Sequence, residues 1–346
     1  MGHRPVTLRD VARAAEVSIN TVSRALNGKP DVSEETRERV LAVAKRLGYR
    51  PNRLAQGLRG KKVGTIGVVV ADLANPFFVE VVKGIEEEAY RHGFTIMVTN
   101  TNEDPAKEQE VLSTLVEHQV AGLIITPSQK DDGFIQFLKA RDVPFVLVAR
   151  RFEHVTCHAV LNDDFTGAFA AVSYLVELGH RDILFINGPH YNWSAMQRLS
   201  GYHQALERGG LPYRPELVRS CEVTAEAAAA AMKDYLAAHP APDAVFAFSD
   251  YMAIGVVRAL REQGLRVPED VSVMGYDGIE IGASLDPPLS TVEIAKHRIG
   301  VASTQVLIEL IENPAARSEP RQLVLPPRVL KRESTKPRAS ATRAAQ

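Results

Sequence analysis

The stretch "VTLRDVARAAEVSINTVSRALNGK", residues 6–29, decides how this chain is read. Its apolar residues recur at helical spacing, yet the pattern breaks at "AEVS" and resumes. Thr7 followed by Asp10 has capping-box spacing, so a helix is expected from Leu8, burying Leu8, Val11, Ala12 and Ala15 on one side. Ser18 suits the N-cap of a second helix running to about Leu26, with Asn27-Gly28 as its stop. Within that helix Val22 and Leu26 share one stripe. Asn20 and Arg24 project roughly 160° away, at about 100° per residue. One face docks and the other reaches outward. Ser33 caps a third helix, "EETRERVLAVAKRL", with Val40, Ala44 and Leu47 inward and Gly48 at its end.

Three short helices with a tight corner between the first two form an all-α helix-turn-helix head, in which the second helix enters the DNA major groove. Asn can bond an adenine edge through two hydrogen bonds, and Arg a guanine edge. Arg9, Arg13, Lys29, Arg37, Lys45, Arg50 and Arg53 are placed to meet phosphates. The charge distribution agrees. Residues 1–62 carry 14 Lys and Arg against 6 Asp and Glu, whereas residues 63–330 carry 22 against 35, so a polyanionic partner is expected for the head alone.

A chain of 346 residues calls for two or more compact units, and 45% hydrophobic with 24% charged residues is an ordinary globular composition. No apolar run approaches the roughly 20 residues of a bilayer span, and "MGHRPVTLRD" has no apolar signal core, so a cytoplasmic protein away from membranes is expected. Two cysteines, Cys157 and Cys221, are too few for a disulfide framework.

From Thr65 onward apolar runs alternate with amphipathic segments. "TIGVVV", "FTIMVT", "VAGLIIT" and "VPFVLVA", then "HAVLN", "DILFIN", "AVFAFS" and "VSVMGY", read as strands with helices between them. This rhythm implies an α/β body of two doubly wound parallel-sheet lobes. Ligands of such sheets sit beyond the carboxyl ends of the strands, which here carry "ADLANPFF", "TPS" with Thr126, "SD" at 249–250 and "YDG" at 276–278.

On "VTLRDVARAAEVSINTVSRALNG", "VSEETRERVLAVAKRLGYRPNRLAQGL" and "TIGVVVADLANPFF", the chain resembles the lactose-repressor (LacI) family of transcriptional regulators over about residues 5–333. The resemblance implies a helix-turn-helix domain over 1–50, a hinge over 51–62 and a periplasmic-binding-protein-like type I effector-binding and dimerisation body over 63–330. In that body, lobe one spans about 63–160 plus 292–322 and lobe two about 161–289 plus 323–330; the tail, 331–346, is expected to be disordered. Base-reading positions fall on Ile19, Asn20 and Arg24, with Ser18, Thr21 and Ser23 beside them. Thr7, Asn27, Tyr49, Asn52, Leu54 and Ala55 complete the implied DNA contacts, and Leu58 of the hinge would wedge into the central minor groove. Gly57 and Gly60 each weaken a short hinge helix by about 1 kcal/mol, so it is expected to fold only on DNA. One departure is Glu16, at a corner that commonly carries Gly or Asn.

In the cleft, the resemblance places Phe77 and Phe78 in the lining, Arg198 and Asp277 on the ligand, and Asn162, Ser249 and Trp193 nearby. Relatives that respond to sugars often carry "VDR"; this chain has "LVARRF", with Ala149, Arg150 and Arg151. Retained arginines without the acceptor favour an anionic ligand. The implied partners are therefore a pseudo-palindromic operator, a small effector (a sugar, sugar acid or other small metabolite) and a second copy of the chain, in a homodimer or a tetramer. No cofactor is called for.

Other chemistries fit less well. His154, Cys157 and His158 lie on a loop entering a strand, where a metal set would not converge, and Asp163 and Asp164 are adjacent and would diverge. No phosphate loop and no nucleophile elbow occur, so no enzyme is expected. The competing function is a soluble solute-binding or sugar-metabolising protein that shares only the body's fold. It has no need of the basic head.

Overall fold

The structure, a computed structural model, describes residues 6–26, 29, 31–49 and 64–338. The chain divides into two compact units, residues 1–64 and 65–346.

The head holds α1 (Leu8–Ala15), α2 (Ile19–Leu26) and α3 (Glu34–Leu47). Asp10 returns to the start of α1, accepting from the Thr7 backbone N–H at 2.8 Å and the Thr7 hydroxyl at 2.6 Å. Ser18 Oγ caps α2 by accepting from Thr21 N–H at 3.0 Å. Val11, Ala15, Val22 and Val40 close the small core. The corner turns at Glu16, which adopts φ 53°, ψ 44°. That left-handed conformation costs a residue with a Cβ and suits glycine. Glu16→Gly is therefore expected to stabilise the head by about 0.5–1 kcal/mol, read as a higher melting temperature of the isolated transition; an unchanged or lower one would contradict the strain assigned to this corner.

In the body, one six-stranded sheet is parallel throughout, in the order β11-β5-β4-β3-β1-β2: β1 (Thr65–Val70), β2 (Thr95–Asn100), β3 (Gly122–Ile125), β4 (Phe145–Val148), β5 (Ala159–Asn162) and β11 (Gln322–Leu325). A second parallel sheet has the order β7-β6-β8-β9, from β6 (Ile183–Asn187), β7 (Val218–Ser220), β8 (Ala244–Ala247) and β9 (Ser272–Met274). β10 (Thr291–Glu293) and β12 (Arg328–Leu330) form an antiparallel pair. Burial along β1, β3, β4, β6 and β8 is nearly complete, as sheets covered on both faces require.

Helices α4 (Pro76–Arg91), α5 (Pro105–Glu117), α6 (Gly133–Lys139) and α11 (Lys296–Glu312) belong with the first sheet; α7 (Asp164–Glu177), α8 (Trp193–Arg208), α9 (Ala225–Ala238) and α10 (Asp250–Glu262) belong with the second. α11 returns to the first sheet by packing backbone to backbone on α4. A Cβ on Gly84 would lie 2.1 Å from His297 O, and one on Gly300 would lie 2.1 Å from Val81 O. No described helix is long and apolar enough to cross a membrane.

The lobe boundaries differ from the sequence reading. Leu161 and Asn162 stay in β5 of the first sheet, and Leu323–Leu325, expected in the second lobe, pair there too as part of β11. β11 is short and mostly exposed, so its sequence pattern does not reveal its partner. Val292 and Glu293, expected back in the first lobe, lie in β10, which is bridged to Met274 and Asp277 through Ser290 and Glu293. The tail is also corrected. Residues 331–338 are packed on the second lobe: Val273 N–H donates to Ser334 O at 2.8 Å and Ser334 Oγ to Val273 O at 2.6 Å, with Ser334 and Thr335 buried. Residues 339–346 lie outside the described part.

Candidate functional site

Two sites emerge, one on each unit. On the head, α2 buries Val22 and Ala25 while Asn20 and Arg24 are exposed, with Ile19, just before Asn20, 43% exposed. An isoleucine half in water beside two groups that match base edges makes a reading face. Ser18 and Thr21 bond each other at 2.8 Å, and the Arg24 guanidinium pairs with Asp31. Ser23, expected beside the readers, is buried on the docking side at 8% exposure, so it braces α2 instead of reaching out. Thr7 is engaged in the α1 cap, and Tyr49 packs against the head's core. Arg9, Arg13, Lys29 and Lys45 are exposed. Asn27, Asn52, Leu54, Ala55 and Leu58, together with Arg50, Arg53 and the hinge 51–62, lie outside the described residues.

In the body, a cavity of about 320 Å³ opens where the carboxyl ends of strands from both sheets face one another. The turn after β1 contributes Asp72 and Asn75, and the start of α4 contributes Phe77 and Phe78. Glu103 follows β2, Arg150 follows β4, and Asn162 ends β5. From the second lobe come Tyr191 and Ser194 after β6, Glu222 after β7, Phe248 after β8, Asp277 after β9, and Arg198 on α8. Phe77 and Phe78 meet edge to face at 4.9 Å, an apolar wall.

Arg198 is the most constrained of these. Its Nε and Nη2 donate to Asp164 Oδ1 at 3.0 and 2.8 Å, its Nη1 donates to Phe248 O, and its guanidinium lies 3.6 Å from the Tyr276 ring centroid and 4.3 Å from that of Phe248. Asp277 Oδ1 stands 3.7 Å from Arg198 Nη2, on a backbone with φ 107°. Lys296 Nζ holds that turn through Asp277 O and Gly278 O, both at 2.7 Å, and reaches Glu80 of α4 at 3.6 Å. It ties the two lobes behind the cavity. Asn162 Oδ1 is buried without a hydrogen-bond partner among the described residues, an acceptor suited to a ligand donor.

Three of the expected cleft residues do not line the cavity. Thr126 is buried and off the cavity lining. Ser249 Oγ is spent on capping α10, accepting from Met252 N–H at 3.1 Å. Trp193 sits where the lobes touch: its backbone N–H donates to Gln129 Oε1 at 2.9 Å, and the Arg151 guanidinium stacks 4.2 Å from its ring. Sequence reasoning placed Asp72 and Asn75 only within "ADLANPFF" and missed Glu103, Tyr191, Glu222 and Phe248. Each follows a strand end, so the carboxyl-end rule was the signal available. Arg150, expected to attract an anion, is already bound by Glu103 through two hydrogen bonds of 2.8 and 2.7 Å. His154 bonds Asp132 at 2.8 Å while Cys157 enters an apolar cluster, and among the described residues no His, Cys, Asp and Glu group is placed to hold a metal.

Burial pushes the Asp277 carboxyl up to about 8 and that of Asp250, directly behind it, up to about 7. Their ordinary value is near 3.8, so between about pH 4 and 8 the folded chain holds protons that the unfolded chain has released. Unfolding then releases protons, and stability from these groups falls as pH rises across that window. At pH 6 the calorimetric unfolding enthalpy is expected to vary with the ionisation heat of the buffer, and Asp277→Asn should reduce the protons released. An unchanged proton count would place the ionised carboxylate in the folded protein.

Residues 7–52 match the profile described as "Bacterial regulatory proteins, lacI family", and residues 63–333 match "Periplasmic binding proteins and sugar binding domain of LacI family". Catabolite control protein A of Priestia megaterium is 34% identical over 96% of this chain and 99% of its own. The ribose operon repressor of Haemophilus influenzae is 34% identical over 95% and 98%. Among solved structures, the lac repressor dimer bound to operator and the anti-inducer ONPF superposes with a TM-score of 0.86 at 32% identity, covering 96% of this chain and all of that one.

Proposed function

Because the chain belongs to the LacI family of bacterial regulatory proteins, it is a DNA-binding transcriptional regulator with an effector-binding body; we propose that an effector in the cleft sets how tightly two paired heads hold a pseudo-palindromic operator. The observation that carries this reading is the cavity at the carboxyl ends of both sheets, walled by both lobes of a body whose head exposes Asn20 and Arg24. A single head spans too few base pairs for specificity, so a twofold dimer is the working unit. The exposed Val79 and Tyr90 of α4 and Met97 and Val98 of the edge strand β2 offer apolar surface for that contact. Residues 51–62 act as the hinge, with Leu58 as the minor-groove wedge. The regulator works in the cytoplasm and catalyses no reaction.

Coupling follows from the cleft's construction. A ligand that changes operator affinity by some factor must, by linkage, have its own affinity changed by operator binding by the same factor. Trp193, the only tryptophan, lies at the lobe contact and reports closure directly. The test is operator selection from random oligonucleotides, followed by binding at two salt concentrations with and without compounds that change Trp193 emission. A specific complex that weakens steeply with salt and shifts with such a compound is expected. Compounds that move Trp193 emission and leave operator affinity untouched would sink the coupling.

A further inference from the structure

The structure assigns to Glu103 the part of charge filter in the cleft: it neutralises Arg150 and so excludes carboxylate and phosphate effectors in favour of uncharged, hydroxyl-rich ones. This deepens the reading of the cleft as the effector site and rests on it. Arg150 is 5% exposed at the cavity wall, and three of its donor contacts are committed, two to Glu103 and one to Pro127 O at 3.1 Å. The two partners come from separate loops, after β2 and after β4. Each loop is held in left-handed backbone without glycine, at φ 56° and 58° for Asn102 and Glu103 and φ 62° for Ala149. Strain of this kind persists only where the surroundings impose it. Behind the pair, buried Glu108 accepts from Ser128 N–H and Oγ at 2.9 and 2.8 Å, anchoring the loop whose Pro127 carbonyl meets Arg150.

The charge inventory points the same way. Arg198 is answered by Asp164, while Asp72 and Glu222 line the cavity with no ion-pair partner among the described residues. A ligand carboxylate reaching Arg150 would have to displace Glu103 and leave that carboxylate facing a like charge in a half-buried site. A hydroxyl group faces no such penalty and finds acceptors in Asn162 Oδ1 and the acidic rim.

The test uses matched probes on the full chain: D-ribose against D-ribonate, D-glucose against D-gluconate, and inorganic phosphate, titrated by calorimetry and by Trp193 emission. Wild type should show at least a tenfold preference for the neutral member of any pair it binds. Glu103→Gln, nearly isosteric, should move the acid-to-neutral affinity ratio at least tenfold toward the acid, or create acid or phosphate binding where wild type shows none. Adding Arg150→Gln should remove that gain. An unmoved ratio, no gain of any anion in Glu103→Gln, a gain that survives Arg150→Gln, or a wild type that prefers the acid each overturns the filter. None of these touches the effector reading, which fails separately if no cleft-binding compound alters operator affinity.

Discussion

Arg198→Met is expected to lower the stability of the body by about 3–5 kcal/mol and to abolish the response of Trp193 to effector. The size follows from what the substitution leaves behind. Asp164 is 2% exposed, and its Oδ1 takes two hydrogen bonds from Arg198. Removing the guanidinium leaves that carboxylate buried without its countercharge and also deprives Phe248 O of a donor. The stacking on Tyr276 and Phe248 is lost as well, though methionine refills part of the volume. The control is the double variant Asp164→Asn, Arg198→Met, which removes the orphaned charge and should regain half or more of the stability without regaining the effector response. Urea unfolding of the three proteins reads the first quantity and a fluorescence titration the second. If Arg198→Met unfolded within about 1 kcal/mol of wild type, the pair would be a surface-like contact in energy terms and the cleft far wetter than its geometry implies.

How much of this was legible beforehand depends on range. The head was readable almost residue by residue, because capping at Thr7, Ser18 and Ser33 and the stripe formed by Val22 are local effects. Even the awkward corner at Glu16 announced itself as a missing glycine. In the body the alternation of strands and helices gave the layers, but strand neighbours are long-range choices. β11 is a short, exposed run whose partner β5 lies some 160 residues away, and nothing in four residues of "QLVL" names it. The cleft shows the same split. Arg150 could be seen as a cation at a strand end, but its meaning depends on Glu103, 47 positions earlier, and the sign of the inference about ligand charge reversed when that partner came into view. Ser249 and Trp193 are off the lining for a related reason: a strand-end position does not say whether a side chain turns to the cavity, to a helix cap or to the opposite lobe.

Arg24→Met is expected to weaken operator binding by about 1–3 kcal/mol per half-site, hence roughly 30-fold to 2 × 10⁴-fold for a dimer that uses both heads. Arg24 lies one turn along α2 from Asn20 on the exposed face, and Asp31 pairs with its guanidinium. That pairing bears on its role. A carboxylate beside the guanidinium repels phosphate, so the arrangement suits a side chain steered to a base edge better than one resting on the backbone. Operator affinity should therefore fall much further than affinity for random duplex, which loses only the nonspecific attraction of one cation. Arg9→Met or Arg13→Met should do the reverse, weakening every sequence alike and reducing the slope by about 0.9 for every phosphate that a head no longer neutralises. Asp31→Asn, which frees Arg24 and removes a negative charge, should raise random-duplex affinity and narrow the margin between operator and random sequence. Anisotropy titrations on operator and scrambled duplex at several salt concentrations separate these outcomes. Equal losses on both duplexes in Arg24→Met would make it a phosphate-binding residue and leave Asn20 and Ile19 to carry the sequence reading alone.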